Sequence, residues 1–487
     1  MEMQLIISIT IYMIGMLWIG YYAYKRTADL SDYMLGGRNL GPAVTALSAG
    51  ASDMSGWLMM GLPGAMYTQG LSASWIVIGL TLGSYANWLY VAPRLRIYTE
   101  IASNSITIPS FLENRFEDRS NLLRLVSGIV IMVFFTFYVS AGIVSGAVLF
   151  QNTFGMNYHT GLYLIAGVVV AYTLFGGFLA VSLTDFVQGL IMVLSLIMVP
   201  AVTLAHSGGI ANTLEVVQRV NPSYMDFFKG TSALGIISLL AWGLGYFGQP
   251  HIIVRFMAIT NVREIKKARR IGISWMIFSV LGAMLTGFFG IAYYQTHGLK
   301  IANPETVFIE LGKILFTPLL TGFIIAAILA AIMSTISSQL LVTSSSLTED
   351  VYKTFFRRQA TDKELVFAGR LAVLVVAVIA SMLAFNQNAT ILSLVGYAWA
   401  GFGASFGPVI LLSLFWKRMN KWGALSGMII GAATIIVWTR FPFLKNHLYE
   451  MVPGFAANLL AIYVASLLTA KPSNNVLKQF DESRKIA

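Results

Sequence analysis

Cysteine is absent from the 487 residues, which removes disulfides, thiolate metal ligands and cysteine nucleophiles together and leaves the redox compartment open. Charge is scarce too: Asp, Glu, Lys and Arg make up 11% of the chain, against 57% hydrophobic residues and a mean hydropathy of +0.73. A water-soluble chain of this length needs far more charge to cover its surface, and a disordered one far less apolar content. Histidine is limited to His159, His206, His251, His297 and His447, scattered over loop or span-end positions without an HExxH motif to hold a catalytic metal. No phosphate-binding GxxxxGK[ST] loop occurs and no nucleophile elbow is expected, so the chain is read as neither an enzyme nor an ATP-driven pump. No cofactor, nucleic acid or obligate protein partner is implied.

What is present is apolar length. Crossing about 30 Å of hydrocarbon takes roughly 20 mostly apolar residues, and thirteen stretches qualify, near 5–24, 43–67, 73–93, 125–151, 161–178, 182–205, 232–256, 272–295, 314–345, 371–386, 391–416, 423–440 and 452–470. The first carries Glu2 and no base before its apolar run and is followed by Lys25 and Arg26, so it is expected to remain as an anchor rather than be cleaved. The net charge of +11 is read by position. Loops reached after odd-numbered spans, including those with Arg38, Arg94, Arg96, Arg115 and Arg255, hold 26 of the 32 Lys and Arg residues. That bias puts the amino terminus outside and the carboxyl terminus in the cytoplasm of a cell-membrane protein.

Two spans are interrupted. The second, SAGASDMSGWLMMGLPGAM, carries Gly50, Gly56, Gly61, Pro63 and Gly64, and the seventh, LLAWGLGYFGQPHII, carries Gly243, Gly245, Gly248 and Pro250; both resist being continuous helices. They lie five spans apart and so cross in opposite directions. The expectation is an all-α membrane protein of 13 transmembrane helices, with an inverted five-plus-five helix repeat core whose repeats each begin with a broken helix. The divisions are 1–42 (first peripheral helix and loop), 43–231 (first repeat), 232–416 (second repeat), 417–470 (two peripheral spans) and 471–487 (cytoplasmic tail). Gly and Pro are also common in ordinary membrane helices, where neighbours re-satisfy the backbone.

Asp53 is the one acid well inside a span, where a carboxylate costs about 2.5–3.5 kcal/mol even on the lenient insertion scale. It caps a broken helix end, or it faces a cation beside the carbonyls of Ala51 and Met54. In the ninth span Ala331, Ser334 and Thr335 stand at i, i+3 and i+4 on one helical face. Their oxygens either ligate a small cation or bond back within the helix, and an all-oxygen set suits Na⁺ better than a transition metal. Asp185 reads as a gate or as a helix-terminus cap. Trp57, Tyr138, Trp242 and Tyr246 either pack between helices or cover the methylenes of a small zwitterion.

The runs DYMLGGRNLGPAVTALSAGASDMSGWLMMGLPGAM (32–66), AWGLGYFGQPHIIVRFMA (241–258), AAIMSTISSQLLVTSSSLTEDVYK (330–353) and GGFLAVSLTD (176–185) strongly resemble the sodium/solute symporter family, in particular its proline-carrying branch, over residues 4 to 470. The resemblance implies a secondary transporter that couples inward Na⁺ movement to uptake of L-proline by alternating access. It makes the carbonyls of Ala51, Met54 and Ala331 and the hydroxyls of Ser334 and Thr335 the sodium ligands. It makes Asp53 an essential acid, Asp185 an acid linked to sodium release toward the cytoplasm, and Arg38 a cytoplasmic-loop base that affects coupling. Ser55, Gly56, Trp57, Tyr138, Trp242, Tyr246 and Pro250 match positions associated with proline. The same fold carrying another small carboxylate such as pantothenate, or coupled to protons, is the alternative; a channel or sensor lacks its pore helices or signalling domain.

Overall fold

The computed structural model describes residues 2–25, 30–175, 177–386 and 389–486; Arg26 of the first basic loop and Gly176 of the GGFLAVSLTD run lie outside them. Among the described residues the chain is helical, and its one strand-like pairing is an isolated bridge between Leu40 and Ile259. Among the described residues ten helices are long and apolar enough to cross a bilayer, and the apolar segments Tyr158–Ala171 and Ala233–Gly248 are shorter. The helix Pro318–Ser345 is apolar all round rather than on one face and lies at the centre, with every residue from Ile324 to Leu341 buried. By contrast Glu2–Tyr24 turns Ile6, Ile11, Ile14, Leu17 and Trp18 outward, as a helix bathed in lipid does.

Both interrupted segments are broken. The first runs as the helix Pro42–Asp53, loses helical geometry at Met54 and Ser55, and resumes through a π-helical turn, Trp57–Gly61, into Leu62–Gln69. The second runs as Ala233–Leu240, tightens to a 3-10 helix over Ala241–Gly248, breaks at Gln249 and resumes as Pro250–Ala258. Pro250 sits where proline does least harm, in a first turn whose N–H groups have no intrahelical acceptor. Two bonds, Leu40 N–H to Ala258 O at 3.1 Å and Thr260 N–H to Leu40 O at 3.0 Å, tie the entry of the first rod to the exit of the second. Glycine lets the second rod lie against its neighbour: a Cβ on Gly83 would stand 2.1 Å from Gly243 O.

Several boundaries differ from the expected ones. The ninth span, placed at 314–345, starts at Pro318, because the residue before a proline is driven to extended geometry and Thr317 obeys, with ψ 153°; residues 314 and 315 end a separate helix, Val307–Leu315. The fifth, placed at 161–178, ends at Phe175. The third runs beyond 93, through a π-helical turn, to Ile101. Three bases counted as loop charges, Arg96, Arg115 and Arg255, lie in helices and are buried. Arg96 bonds Ile259 O at 2.7 Å and Arg115 bonds Ser413 O at 3.1 Å, so their guanidinium groups tie helix ends together from within. Residues 403–407 read GASFG and meet the GxSxG pattern that was not expected. They lie inside the helix Ile391–Phe415 with Ser405 fully buried, so no strand presents that serine as a nucleophile.

Candidate functional site

The break in the first rod leaves the last carbonyls of Pro42–Asp53 without intrahelical partners. Met54 N–H still bonds Gly50 O at 3.0 Å, whereas Ser55 N–H turns back to Asp53 O at 3.0 Å. Ala51 O is freed and turns toward the central helix, where it accepts from Ser334 Oγ at 2.7 Å and from Thr335 Oγ1 at 3.4 Å. Both hydroxyls also reach Ala331 O, each at 3.1 Å. Two carbonyls and two hydroxyls from segments almost 300 residues apart thus converge in a fully buried place. The back-bonding expected of helical Ser and Thr is present, and the contact with Ala51 goes beyond it. Hydroxyl rotors that now direct their protons at carbonyls present lone pairs to a cation once they turn. Met54, the fifth proposed ligand, is buried beside the break.

Asp53 is the last residue of its half-helix and makes no capping bond to the segment that follows, whose N-cap is Gly56. The capping reading therefore fails, and the carboxylate stands at a helix C-terminus, where the macrodipole favours positive charge. Its Oδ2 accepts from Tyr246 of the second rod at 2.5 Å, while Oδ1 is buried without a partner. Its main-chain carbonyl accepts from Trp57 Nε1 at 3.1 Å and from Tyr138 at 3.5 Å. One residue thus gathers Trp57, Tyr138 and Tyr246, and Trp242 follows, with ring centroids 6.4 Å from Trp57.

The remaining expected contact residues lie at the two breaks. Ser55 lies in the break, with its Oγ 3.5 Å from Trp57 N. Gly56 is a packing position, since a Cβ there would come within 2.6 Å of Ser145 Cβ. Gly56→Ala is expected to lower stability by about 1–3 kcal/mol through overpacking. Ser145→Gly should restore it, read as the thermal midpoint of purified protein; a rescue that fails would mean that the glycine serves something other than this contact. Pro250 starts the second half-helix, and the neighbouring Gln249 amide bonds Trp399 O at 3.1 Å.

Asp185 is not a terminal cap. It lies two turns inside Phe178–His206, fully buried, and its Oδ2 meets Arg255 Nη2 at 3.2 Å, Ser48 Oγ at 2.8 Å and Ser338 Oγ at 3.3 Å. Arg255 also donates to Ser48 at 3.0 Å, Ser338 at 2.6 Å and His251 O at 2.5 Å. This cluster pins both rods and the central helix together one to two turns from the converging oxygens, on the side of the Leu40–Ile259 bridge. Arg38 acts further toward that side. With φ at +56°, it bonds Met257 O and Ser105 O at 2.7 Å each and Asn104 Oδ1 at 2.9 Å. Burial, with the like charge of Arg96, pulls its guanidinium down to about 10.

Residues missing from the sequence reading complete the picture. Trp399 donates to Trp242 O at 2.7 Å and sets its edge against Tyr246; Asn87 donates to Tyr246 O at 2.9 Å. At the opposite end Glu305 accepts from the first N–H groups of Ile391–Phe415, Ile391 at 3.0 Å and Leu392 at 3.2 Å, latching a loop onto that helix. Burial keeps this carboxyl above the ordinary range. Helix-start acceptors are visible in sequence when they are local; Glu305 acts on a helix 86 residues away.

The profile of the sodium:solute symporter family matches residues 33–431. The chain is 70% identical over 467 residues, 96% of its own length and 98% of the relative's, to the "High-affinity proline transporter PutP" of Bacillus subtilis (strain 168). It is 58% identical to the "Osmoregulated proline transporter OpuE" of the same organism, covering 100% of this chain and 99% of that one. Among solved structures, the substrate-bound outward-open state of a Na⁺-coupled sialic acid symporter superposes with a TM-score of 0.81 at 21% identity, over 96% of this chain and 99% of that one.

Proposed function

The chain belongs to the sodium:solute symporter family, and from that premise we propose that it carries L-proline into the cell with Na⁺ by alternating access. It is a multi-pass membrane transporter, not an enzyme. The observation that carries the coupling mechanism is the meeting of Ala51 O, Ala331 O, Ser334 Oγ and Thr335 Oγ1 across the first break. Sodium bound there, with Met54 O as a further ligand, would hold the end of Pro42–Asp53 against the central helix and so fix the shape of the break. Proline would lie beside that break, its ring against Trp57, Tyr138 and Trp242, with Ser55, Tyr246 and the half-helix ends supplying polar contacts. A ligand that stabilises the formed site raises affinity for the other by the same factor, which is how two cargoes become coupled. One positive charge moving inward at −100 mV contributes about 2.3 kcal/mol.

The Asp185–Arg255 cluster would act as the cytoplasmic latch, opened as sodium leaves past Asp185, and Arg38 would set how firmly that side closes. We place thirteen spans in an inverted five-plus-five arrangement, with 43–231 and 232–416 as the repeats and the amino terminus outside. The loop bases still lie overwhelmingly on one side after the buried Arg96, Arg115 and Arg255 are set apart.

Removing a hydroxyl ligand tests the sodium site. Ser334→Ala and Thr335→Ala should each raise the half-saturating sodium concentration for proline uptake by about tenfold, the equivalent of one lost ligand of roughly 1.4 kcal/mol, with the amount of protein in the membrane unchanged. Uptake with unaltered sodium dependence in both variants would defeat the site.

A further inference from the structure

The chain that leaves the second rod, on the side of the Leu40–Ile259 bridge, reads VREIKKARR over 262–270, five bases and one acid. It enters the helix Ile265–Thr296 at its first residues. Several bases elsewhere have acidic partners: Arg124 meets Glu113 at 2.5 Å, Lys353 meets Glu349 at 2.9 Å and Arg357 meets Glu364 at 3.2 Å. Among the described residues none of Arg263, Lys266, Lys267, Arg269 and Arg270 forms a salt bridge. Arg263, Lys266, Lys267 and Arg270 are exposed and stand at i, i+3, i+4 and i+7, so they share one face. Ile265, Ala268, Gly272 and Trp275 are buried on the other. A first helical turn is where the dipole disfavours positive charge, so the helix itself gains nothing from bases there. Setting topology needs positive charge in a loop; it does not need that charge gathered on one face without partners.

The basic face runs straight into an apolar one. One to three turns further along it Ser274, Ile277, Phe278 and Leu281 are exposed. Arg269 leans over the exposed ring of Tyr85 on the neighbouring helix Ser74–Ala86, 5.6 Å from its centroid. Lys267 and Arg270 lie within about 8 Å of Gly272 along the axis, and a headgroup layer is about 5–8 Å deep. We propose that this face binds anionic phospholipids of the phosphatidylglycerol class, their phosphates on Arg263, Lys266, Lys267 and Arg270 and their acyl chains along Phe278 and Tyr85. Continuity with the lipid-facing stripe is what selects a lipid over a soluble polyanion, which would use the charges and leave the apolar face unused. The same helix backs the first rod. A Cβ on Gly50 would stand 2.5 Å from the Trp275 ring, and Trp275 Nε1 donates to Gly189 O at 2.8 Å. Bound lipid thus holds at headgroup level the helix against which Pro42–Asp53 rests.

Equilibrium binding of tail-labelled fluorescent phosphatidylglycerol to the purified full-length protein in neutral detergent tests the site, with phosphatidylcholine of the same chains as the reference. The wild-type chain should bind phosphatidylglycerol about tenfold more tightly or better, and raised salt should erode that preference. The quadruple variant Arg263→Gln/Lys266→Gln/Lys267→Gln/Arg270→Gln should bind both lipids alike. Removing four bases of the carboxyl-terminal tail, Lys471→Gln/Lys478→Gln/Arg484→Gln/Lys485→Gln, should leave the preference intact, which separates this face from net charge. Should the first quadruple variant fail to insert, Lys266→Gln/Lys267→Gln decides in its place, with the preference expected to fall about threefold or more. Equal binding of the two lipids by the wild-type chain would overturn the site. So would a preference kept after the loop bases are removed, or one lost with the tail bases. Displacement of the labelled lipid by glycerophosphoglycerol, the same headgroup without chains, would show a soluble phosphate as the occupant and overturn it as well.

Discussion

Asp53→Asn is expected to cut sodium-driven proline uptake about a hundredfold or more while leaving the protein in the membrane. The substitution keeps size and shape, and it removes the one formal negative charge at the end of the half-helix whose carbonyls face the converging hydroxyls. Two losses combine. The bond from Tyr246 at 2.5 Å drops from charge-assisted to neutral, a difference of about 1 kcal/mol or more. The larger loss is the favourable field for a cation in a water-poor place, where two unit charges several ångströms apart still interact by about 2–4 kcal/mol at an effective dielectric near 20. Together these exceed about 2.7 kcal/mol, the equivalent of a hundredfold. Initial uptake rates against sodium concentration, normalised to the transporter present in the vesicles, provide the measurement. Uptake with wild-type half-saturating sodium would sink the role assigned to this acid.

Breaking the Asp185–Arg255 pair should have an effect of similar size but of a different kind. Either Asp185→Ala or Arg255→Ala leaves a full charge buried with no countercharge, which costs about 3–5 kcal/mol. The double variant, which removes both charges, should recover much of that loss, because a buried pair is itself close to neutral in net stability. Thermal unfolding of the four proteins yields the coupling directly. Strictly additive losses would show that the two groups act separately. Since the cluster ties Ser48 and Ser338 as well, the single variants should also open the Leu40–Ile259 side of the rods to water, read as increased reactivity of a thiol introduced near Pro250.

The sequence disclosed the interruptions because they are local: Gly and Pro within an apolar run signal a broken rod, and Ser334 and Thr335 fall on one face by helical spacing alone. Asp53 stood out because its cost in lipid is large. The partners of these groups were not legible. Arg255 looked like the first base of a cytoplasmic loop, and nothing in periodicity tells that it lies within a helix against an acid 70 residues earlier. Asp185 reads in sequence as a gate or a terminal cap because the sixth span is placed from 182, whereas its helix begins one turn earlier, at Phe178. Gly56 matched a binding position, and its close packing against Ser145 was not legible beside it.

Three of the ten tryptophans, Trp57, Trp242 and Trp399, crowd around the break, within 6.5 Å of one another in successive pairs. Indoles that close share excitation energy, and Tyr449, stacked on Trp242 with centroids 5.4 Å apart, shields it from collisional quenchers. Rearrangement at the break should therefore register as a change in intrinsic emission and in near-ultraviolet dichroism, without any attached dye. With no native thiol to compete, a single introduced cysteine can carry a spectroscopic label whose signal has one origin, so the turnover of this carrier can be followed optically from two independent sides.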